Sequence, residues 1–233
     1  LQIANDKGRL YEHLNSNGIA APKFKVVKDY DEYIDAKKWI KETETNFIIK
    51  PCIANGSRGF RIVNNSIDES DLLFNHKPNS TFINEDKLDL ILKSSFPPLL
   101  VSEYLPGDEY TIDCLVDNGI PKLIIPRKRE KMNNGISVAG TIEENNDIIA
   151  YSRDILQTMK LHGPIGIQVK YSKSGIPLIV EINPRIQGAT VACNGAGVNI
   201  PAYSISDISS IDFSTLNVAW GTKFLRHYEE LYF

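Results

Sequence analysis

The sequence predicts an α+β chain, and three observations carry that expectation. Apolar residues alternate along short stretches separated by tight turns, most clearly over 164–183 and 99–125, as half-buried hairpin strands do. Apolar residues recur at helical spacing behind capping residues, best of all over Asp147–Leu161. A Pro106-Gly107 bend separates two such sets of elements and makes a hinge between two lobes.

In chain order, Asn5–Gly18 is a predicted helix with Asn5 as cap, Leu10, Tyr11 and Leu14 on one side and Gly18 just beyond. Lys7 lies in its first turn, where a cation gains nothing from the helix dipole; it is either a solvated lysine or a phosphate contact. Pro22–Val27 is a strand, and Asp31–Glu42 a helix with Tyr33, Ala36 and Ile40 inward. The run FIIKPCIANGSRGFRIV (47–63) is a buried strand ending in Lys50-Pro51, a loop with Gly56, Ser57 and Gly59, and a strand from Phe60. Glycines allow backbone N–H groups close to an anion, and Lys50 adds a point charge; a hairpin with a glycine bend explains the same residues. No GKS or GKT follows, so this is not a Walker sequence.

Residues 64–80 form a polar stretch with a short helix, Asp86–Lys93 another helix, and Leu99–Tyr104 a strand. Tyr110–Val116 and Lys122–Ile125 form a hairpin, and Glu109 at its start faces either solvent or a ligand. PRKREK (126–131) then leaves the strand as either a solvated charge run or a surface for an acidic substrate. Asn133–Gly140 is a predicted loop, Asn194–Ile200 a small, flexible stretch, Pro201 a helix opening, and Trp220–Tyr228 a last strand.

The hairpin at 164–189 carries the clearest chemistry. Ile165, Ile167 and Val169 share one side of its first strand, and Leu178, Val180 and Ile182 one side of its second. A two-residue Ser174-Gly175 turn would pair residue 168 with residue 181. Gln168, Glu181 and Asn183 then form one patch of hard oxygens with a single formal charge, a set suited to Mg²⁺ bound together with phosphate. Arg185 follows two residues on, with a fork that can hold a phosphate.

Composition narrows the alternatives. At 233 residues the chain is one large domain or two small lobes, and 42% hydrophobic with 24% charged residues is ordinary for a globular protein. A net charge of −3 offers no footprint for nucleic acid or anionic membrane. Three scattered cysteines without a CxxC pair argue against a zinc site or disulfide frame and favour a reducing cytoplasm. No long apolar run or signal peptide is present, no GxSxG elbow supports a serine nucleophile, and the four histidines show no ligand spacing.

The ordered set of motifs resembles the ATP-grasp superfamily, most closely its carbamoyl-phosphate-synthase-like and carboxylate–amine ligase branch. It comprises Asp6-Lys7, Gly18-Ile19 before Pro22, Ile49-Lys50-Pro51 with Gly56-Ser57-Arg58-Gly59, Glu103-Tyr104-Leu105-Pro106-Gly107 with Glu109, Pro126-Arg127-Lys128-Arg129, Gly135-Ile136-Ser137, Gln168, and Glu181-Ile182-Asn183-Pro184-Arg185. It spans nearly the whole chain. The resemblance implies two α+β lobes with antiparallel sheets gripping ATP: residues 1–21 and 105–233 as the larger, metal- and phosphate-binding lobe, and 22–104 as a smaller lid. It implies that Lys7 and Lys50 hold phosphates and that the loop of Gly56, Ser57, Arg58 and Gly59 closes over them. Glu103, Tyr104 and Leu105 would meet adenine and Glu109 the ribose. Gln168, Glu181 and Asn183 would hold Mg²⁺ (or Mn²⁺), and Arg185, with Lys50, Arg127 and Arg129, would act on the transferring phosphate and an anionic acceptor.

The implied activity is phosphorylation of a small-molecule carboxylate to an acyl phosphate, which an amine or other nucleophile attacks. A carbamoyl-phosphate-type synthetase module and a non-catalytic ATP-binding module are the alternatives. Two departures stand out: Gln168 occupies a position where many relatives carry an acid, and the α/β domain that usually precedes this region is missing from the sequence, so the chain is expected to be a fragment of a longer protein.

Overall fold

Chain polarity and turn chemistry divide the protein into two sheets. The computed structural model describes residues 2–54, 56, 58–75, 81–133, 135–227 and 229–233. In order, the elements are α1 (Gln2–Asn5), α2 (Lys7–Ser16), β1 (Phe24–Val27), α3 (Tyr30–Lys41), β2 (Phe47–Pro51), β3 (Arg61–Val63), α4 (Glu69–Asn75), β4 (Phe82–Ile83), α5 (Glu85–Ile91) and β5 (Leu99–Glu103). They continue with β6 (Glu109–Asp117), β7 (Ile120–Asn133), β8 (Ile136–Ile142), α6 (Asn146–Met159), β9 (Gly163–Tyr171), β10 (Pro177–Asn183), α7 (Ala192–Gly195), α8 (Ile200–Ser204), a 3-10 turn (Ile208–Ser210) and β11 (Lys223–Leu225). Unit 1 comprises Leu1–Asn5, His13–Ala20 and Pro106–Phe233, and unit 2 comprises Asp6–Glu12 and Ala21–Leu105. Asp6–Glu12, expected with the larger lobe, therefore falls in unit 2.

Unit 2 is built on a five-stranded sheet ordered β1-β5-β2-β3-β4, antiparallel except for β3 and β4. The Asp29 side chain caps α3 by accepting from the Glu32 N–H at 2.9 Å, and the spacing of Tyr33, Ala36 and Ile40 buries all three completely. They pack with Phe47, Ile49, Val63, Leu88, Leu99 and Val101. In α2 the cap is Asp6 rather than Asn5: its Oδ1 accepts from the Arg9 N–H at 3.1 Å, because α1 ends at Asn5 and the chain re-enters helix at Lys7.

Charged side chains fasten α5 to α3. Lys37 Nζ lies 2.5 Å from Asp89 and 3.4 Å from Glu85, Lys41 donates to Glu85 at 2.8 Å, and Tyr33 donates to Asp89 at 2.7 Å. Burial pushes the Glu85 carboxyl up, but hydrogen bonds from Lys41 and Asn65 and the charges of Lys41 and Lys37 outweigh it and hold the group below its ordinary value. Burial lowers Lys37, and Asp89 and Glu85 more than reverse it. A depressed carboxyl pKa contributes stability above its unfolded value that is lost as pH falls through its folded value; a raised lysine pKa contributes stability lost only as pH rises through the folded value. The network should therefore weaken below the ordinary carboxylate range and in strong alkali. Glu85→Gln is expected to flatten the acid limb of unit 2 stability, followed by fluorescence of Trp39, which packs against this core. An unaltered acid limb would show that these pairs contribute nothing.

Unit 1 carries a six-stranded antiparallel sheet, β10-β9-β6-β7-β8-β11. The charge run 126–131 does not leave the strand: β7 continues to Asn133, and β8 begins at Ile136 inside the expected 133–140 loop. Ladder hydrogen bonds hold the run in the sheet whatever its side chains: β7 pairs with β6 as far as Lys128 and with β8 from Arg127 to Asn133. Arg127 and Arg129 take one face, while Glu130 accepts from the Thr141 hydroxyl at 2.7 Å. Gly140 on β8 faces Phe224, and a Cβ there would lie 2.2 Å from the Lys128 carbonyl and 2.9 Å from the Phe224 ring, so no larger residue fits.

Helix α6 is capped by Asn145 and buries Ile148, Ser152, Ile155 and Leu156; it ends at Lys160 in the left-handed region (φ 47°), ahead of the expected Gly163. The segment 194–200, expected to be small and flexible, sends Ala196, Val198 and Ile200 into the core and leaves Asn194, Gly195, Gly197 and Asn199 exposed. Cys193, Ala196, Val198 and Ile200 pack with Leu115, Leu123, Ile125 and Ile142, because small residues let α7 lie close against the sheet. Pro201 opens α8 as expected. The last strand is limited to Lys223–Leu225, and residue 228 lies outside the described residues.

Candidate functional site

The β9–β10 hairpin brings the expected oxygen donors together by a route the sequence did not disclose. Its loop has three residues, Lys173-Ser174-Gly175, not two: the Gly175 N–H reaches the Ser172 carbonyl at 3.1 Å, the Ser172 N–H reaches the Ile176 carbonyl at 2.9 Å, and Gly175 has φ 75°. That loop alone would set residue 168 opposite 180. An irregularity between Ile179 and Glu181 inserts one extra residue and restores Gln168 opposite Glu181 and Gly166 opposite Asn183. Ile179 is consequently fully buried, and Val180, expected inward, is only half-buried.

The pairing of β9 to β6 and β6 to β7 extends the patch across the sheet. Gln168 lies opposite Thr111, which lies opposite Arg127; Gly166 lies opposite Asp113. Glu109, Thr111 and Asp113 thus share a face with Arg127, Arg129, Gln168, Glu181 and Asn183. The same face turns apolar toward Leu115, Leu123 and Ile125, where α7 covers it. Asp113 and Arg127 sit at that boundary.

Within the polar end, Asn183 Nδ2 donates to Glu181 Oε1 at 2.8 Å, and Arg185 Nη2 lies 3.5 Å from Asn183 Oδ1. Arg185 is exposed, and its Nη1 donates to the Ile186 carbonyl at 3.0 Å. Arg129 is paired with Glu109, donates to Gln168 Oε1 at 3.3 Å, and reaches the Gly135 carbonyl at 2.5 Å. Burial pulls the Arg129 pKa down, Glu109 and Glu181 oppose this, and the neighbouring Arg127 charge adds to it. Arg129 Nε is buried with no hydrogen-bond partner among the described residues.

Arg127 differs from Arg129. It is 1% exposed, and its Nε and Nη2 donate to Asp113 Oδ2 at 3.3 and 3.1 Å. Its guanidinium lies 5.7 Å from the Phe224 ring centroid. Asp113 also accepts from the Thr190 hydroxyl at 2.5 Å and faces the Cys193 thiol at 3.6 Å. Sequence reasoning missed Asp113 and Thr190. The available signal was an acid among apolar residues (YTIDCLV) on the Arg127 side of a hairpin, since a buried acid requires a partner.

Unit 2 holds the other expected residues. Lys7, 8% exposed, donates through Nζ to the Ala54 carbonyl at 3.1 Å and through its N–H to the Cys52 carbonyl at 2.9 Å. Lys50, 5% exposed, donates to the Tyr11 hydroxyl at 3.0 Å and lies over its ring. The two lysines therefore converge on the chain around Cys52, whose thiol is pushed up by burial and by Asp6 and pulled down by both lysines. Gly56 and Gly59 have φ 63° and 75°, and a Cβ on Gly59 would lie 2.7 Å from the Pro51 ring. Ser57 lies outside the described residues, and Arg58 is exposed. Glu103 Oε1 accepts from the Lys23 N–H at 2.7 Å; Tyr104 is half-buried and Leu105 buried.

Residues 95–223, over half of the chain, match the profile of the family described as "ATP-grasp in the biosynthetic pathway with Ter operon". The chain belongs to this ATP-grasp family. The carbamoyl phosphate synthase large chain of Clostridium beijerinckii is 25% identical over 225 residues, covering 92% of this chain and 18% of that protein. The arginine-specific large chain of Halalkalibacterium halodurans is 23% identical over 226 residues, covering 93% and 19%. The ATP-grasp chain thus spans about a fifth of the length of these relatives.

Among solved structures, an ADP complex of N5-carboxyaminoimidazole ribonucleotide synthetase superposes with a TM-score of 0.66 at 12% identity, covering 96% of this chain and 54% of that one. The biotin carboxylase domain of Hydrogenobacter thermophilus 2-oxoglutarate carboxylase, solved with MgADP and bicarbonate, superposes with a TM-score of 0.65 at 18% identity, covering 95% and 49%. These likenesses concern the fold. No helix among the described residues is long and apolar enough to cross a membrane.

The donor chemistry of the ATP-grasp face fits a hard divalent cation. Glu181 offers a carboxylate; beside it Gln168 Oε1 accepts from Arg129, and Asn183 turns its Nδ2 to Glu181 and its Oδ1 to Arg185, so Asn183 would have to turn its oxygen inward to hold a cation with them. Among the described residues no group of three or more His, Cys, Asp or Glu forms a metal cluster.

Proposed function

We propose that this ATP-grasp chain belongs to an ATP- and Mg²⁺-dependent ligase that phosphorylates a small-molecule carboxylate to an acyl phosphate, which an amine or other nucleophile then attacks. The observation that carries this reading is the alignment of Gln168, Glu181 and Asn183 on one face of the β9–β10 hairpin, with Arg185 immediately after it. Gln168, Glu181 and Asn183 would hold the cation, which when bound neutralises phosphate charge. Arg185, exposed and held among the described residues through the Ile186 carbonyl and the Asn183 amide oxygen, has donors left for a phosphate.

Lys7 and Lys50 bring two cationic groups to the backbone around Cys52, and we assign them to the nucleotide phosphates together with the Gly56–Gly59 segment. Glu103, Tyr104 and Leu105 are assigned to adenine and Glu109 to the ribose. Arg129 and Arg127 each keep a buried nitrogen, Nε and Nη1, without a hydrogen-bond partner among the described residues; Arg129, at the polar end, is assigned to the acceptor anion, and Arg127, paired with Asp113 on the same face, supports it. In the reaction a carboxylate oxygen forms a bond to the γ-phosphorus as the bond to ADP breaks. The nucleophile then attacks the acyl carbon and phosphate leaves. Such chemistry asks the protein for positioning and charge stabilisation, with no protein nucleophile. We also propose that the nucleophile is an amine, that residues 22–104 act as the lid, and that the whole protein works in the cytoplasm.

Calorimetric titration with ATP, with and without Mg²⁺, tests the nucleotide assignment; metal-dependent binding is expected, and a folded protein that binds neither form overturns it. The similarity to carbamoyl phosphate synthases favours bicarbonate as one carboxylate to include. ADP release with bicarbonate, compared with amino acids and short dicarboxylates, then separates a carbamoyl-phosphate-type module from other carboxylate–amine ligases.

A further inference from the structure

The segment from Pro184 to Val191 joins β10 to α7 without a strand or helix of its own, yet it carries Arg185. Ala189 and Thr190 are buried, and the Gln187 side chain lies on Gly166 of β9, where an added Cβ would fall 1.6 Å from Gln187 Nε2. Behind Arg185, its own N–H donates to the Asn183 carbonyl at 2.7 Å. Ahead of it, the Thr190 hydroxyl accepts from the Gln187 N–H at 3.1 Å and donates to Asp113 Oδ1 at 2.5 Å, while the Thr190 N–H reaches the Gln187 carbonyl at 3.2 Å. One hydroxyl therefore closes the turn and ties it to the sheet. Asp113 is 2% exposed on the central strand β6, and Arg127 holds its other oxygen. Arg226 adds an outer tie to the Gly188 carbonyl at 2.6 Å.

We infer that Asp113 is a positioning residue, acting through Thr190 to fix the turn 187–190 and so the place of Arg185 relative to Glu181 and Asn183. The inference rests on reading Arg185 as a phosphate-binding residue. A buried carboxylate anchored by a guanidinium cannot shift with the loop, so a hydrogen bond to it transmits the rigidity of the sheet to an exposed arginine.

The test compares the whole chain as wild type, Thr190→Val, Thr190→Ala and Thr190→Ser by hydrogen exchange of peptides spanning 184–191 and by titration with MgATP and MgADP. Loss of the hydroxyl, in valine or alanine, is expected to speed exchange in this segment about ten-fold while β9 and β10 keep their protection. It should also reduce the preference for ATP over ADP about five-fold, since Arg185 addresses the phosphate that ADP lacks; serine should restore both within about two-fold. The inference is overturned if the valine and alanine variants exchange like wild type over 184–191, or if serine behaves like them, which would make shape and not the hydroxyl responsible. Alanine keeps the test decisive if the valine variant does not fold. Wild type that binds neither nucleotide would end the ATP reading, and the exchange arm would still decide whether Asp113 holds the turn.

Discussion

Glu181→Ala is expected to abolish the Mg²⁺-dependent part of ATP binding and to lower turnover by at least roughly 10²–10³-fold, the scale on which loss of one charge-stabilising group acts. The reason is the composition of the patch. Glu181 is the one carboxylate of the Gln168–Glu181–Asn183 set, and the two amides cannot supply a charge in its place. Its removal also leaves Arg129 with Glu109 as its nearby acid. Calorimetry with and without Mg²⁺, paired with a thermal melt to show that the variant is folded, reads the effect. Unchanged metal-dependent binding in Glu181→Ala would place the cation elsewhere.

The second large effect concerns stability. Arg127→Met should destabilise unit 1 by about 3–5 kcal/mol, because it strands the Asp113 carboxylate in the interior with only Thr190 and Cys193 beside it. Replacing both members, Arg127→Met with Asp113→Leu, should recover much of that loss, since a buried pair is often no better than an apolar pair of similar volume. Each unit contains one tryptophan, Trp39 in unit 2 and Trp220 in unit 1, so denaturation of a Trp39→Phe background followed by Trp220 fluorescence isolates the effect. Equal destabilisation by the single and double changes would mean that the ion pair itself, and not the stranded charge, holds this region.

Much of the fold was legible because local rules agree with tertiary ones. Tyr33, Ala36 and Ile40 mark the inward face of α3 by spacing alone, and Ile165, Ile167 and Val169 do the same for β9. The failures share a cause. At 126–133, charged residues occupy a strand that pairs with β6 as far as Lys128 and with β8 from Arg127 to Asn133, so a run that looks solvated is held by backbone pairing invisible in the side-chain pattern. At 194–200, glycine and asparagine suggest flexibility, but they take the exposed positions of a stretch whose Ala196, Val198 and Ile200 alternate into the core.

The candidate site was legible to a different depth. Glu181 and Asn183 at spacing two declare a shared direction in any strand, and that identified the face. The juxtaposition with Gln168 followed from an assumed two-residue turn; a three-residue loop and a later bulge compensate one another to give the same pairing. The sequence by itself determined the strongly periodic elements, α3, α6 and the strands of the β9–β10 hairpin, and the pairing of Glu181 with Asn183 on one face, because these depend on periodicity and on side chains a few positions apart. Only the tertiary structure decided that Arg127 is buried on Asp113 while Arg129, two residues along the same strand, stays at the polar patch. That difference arises from Asp113, which meets Arg127 on one side and Thr190 and Cys193 on the other, contacts 77 and 80 residues apart that no local pattern encodes.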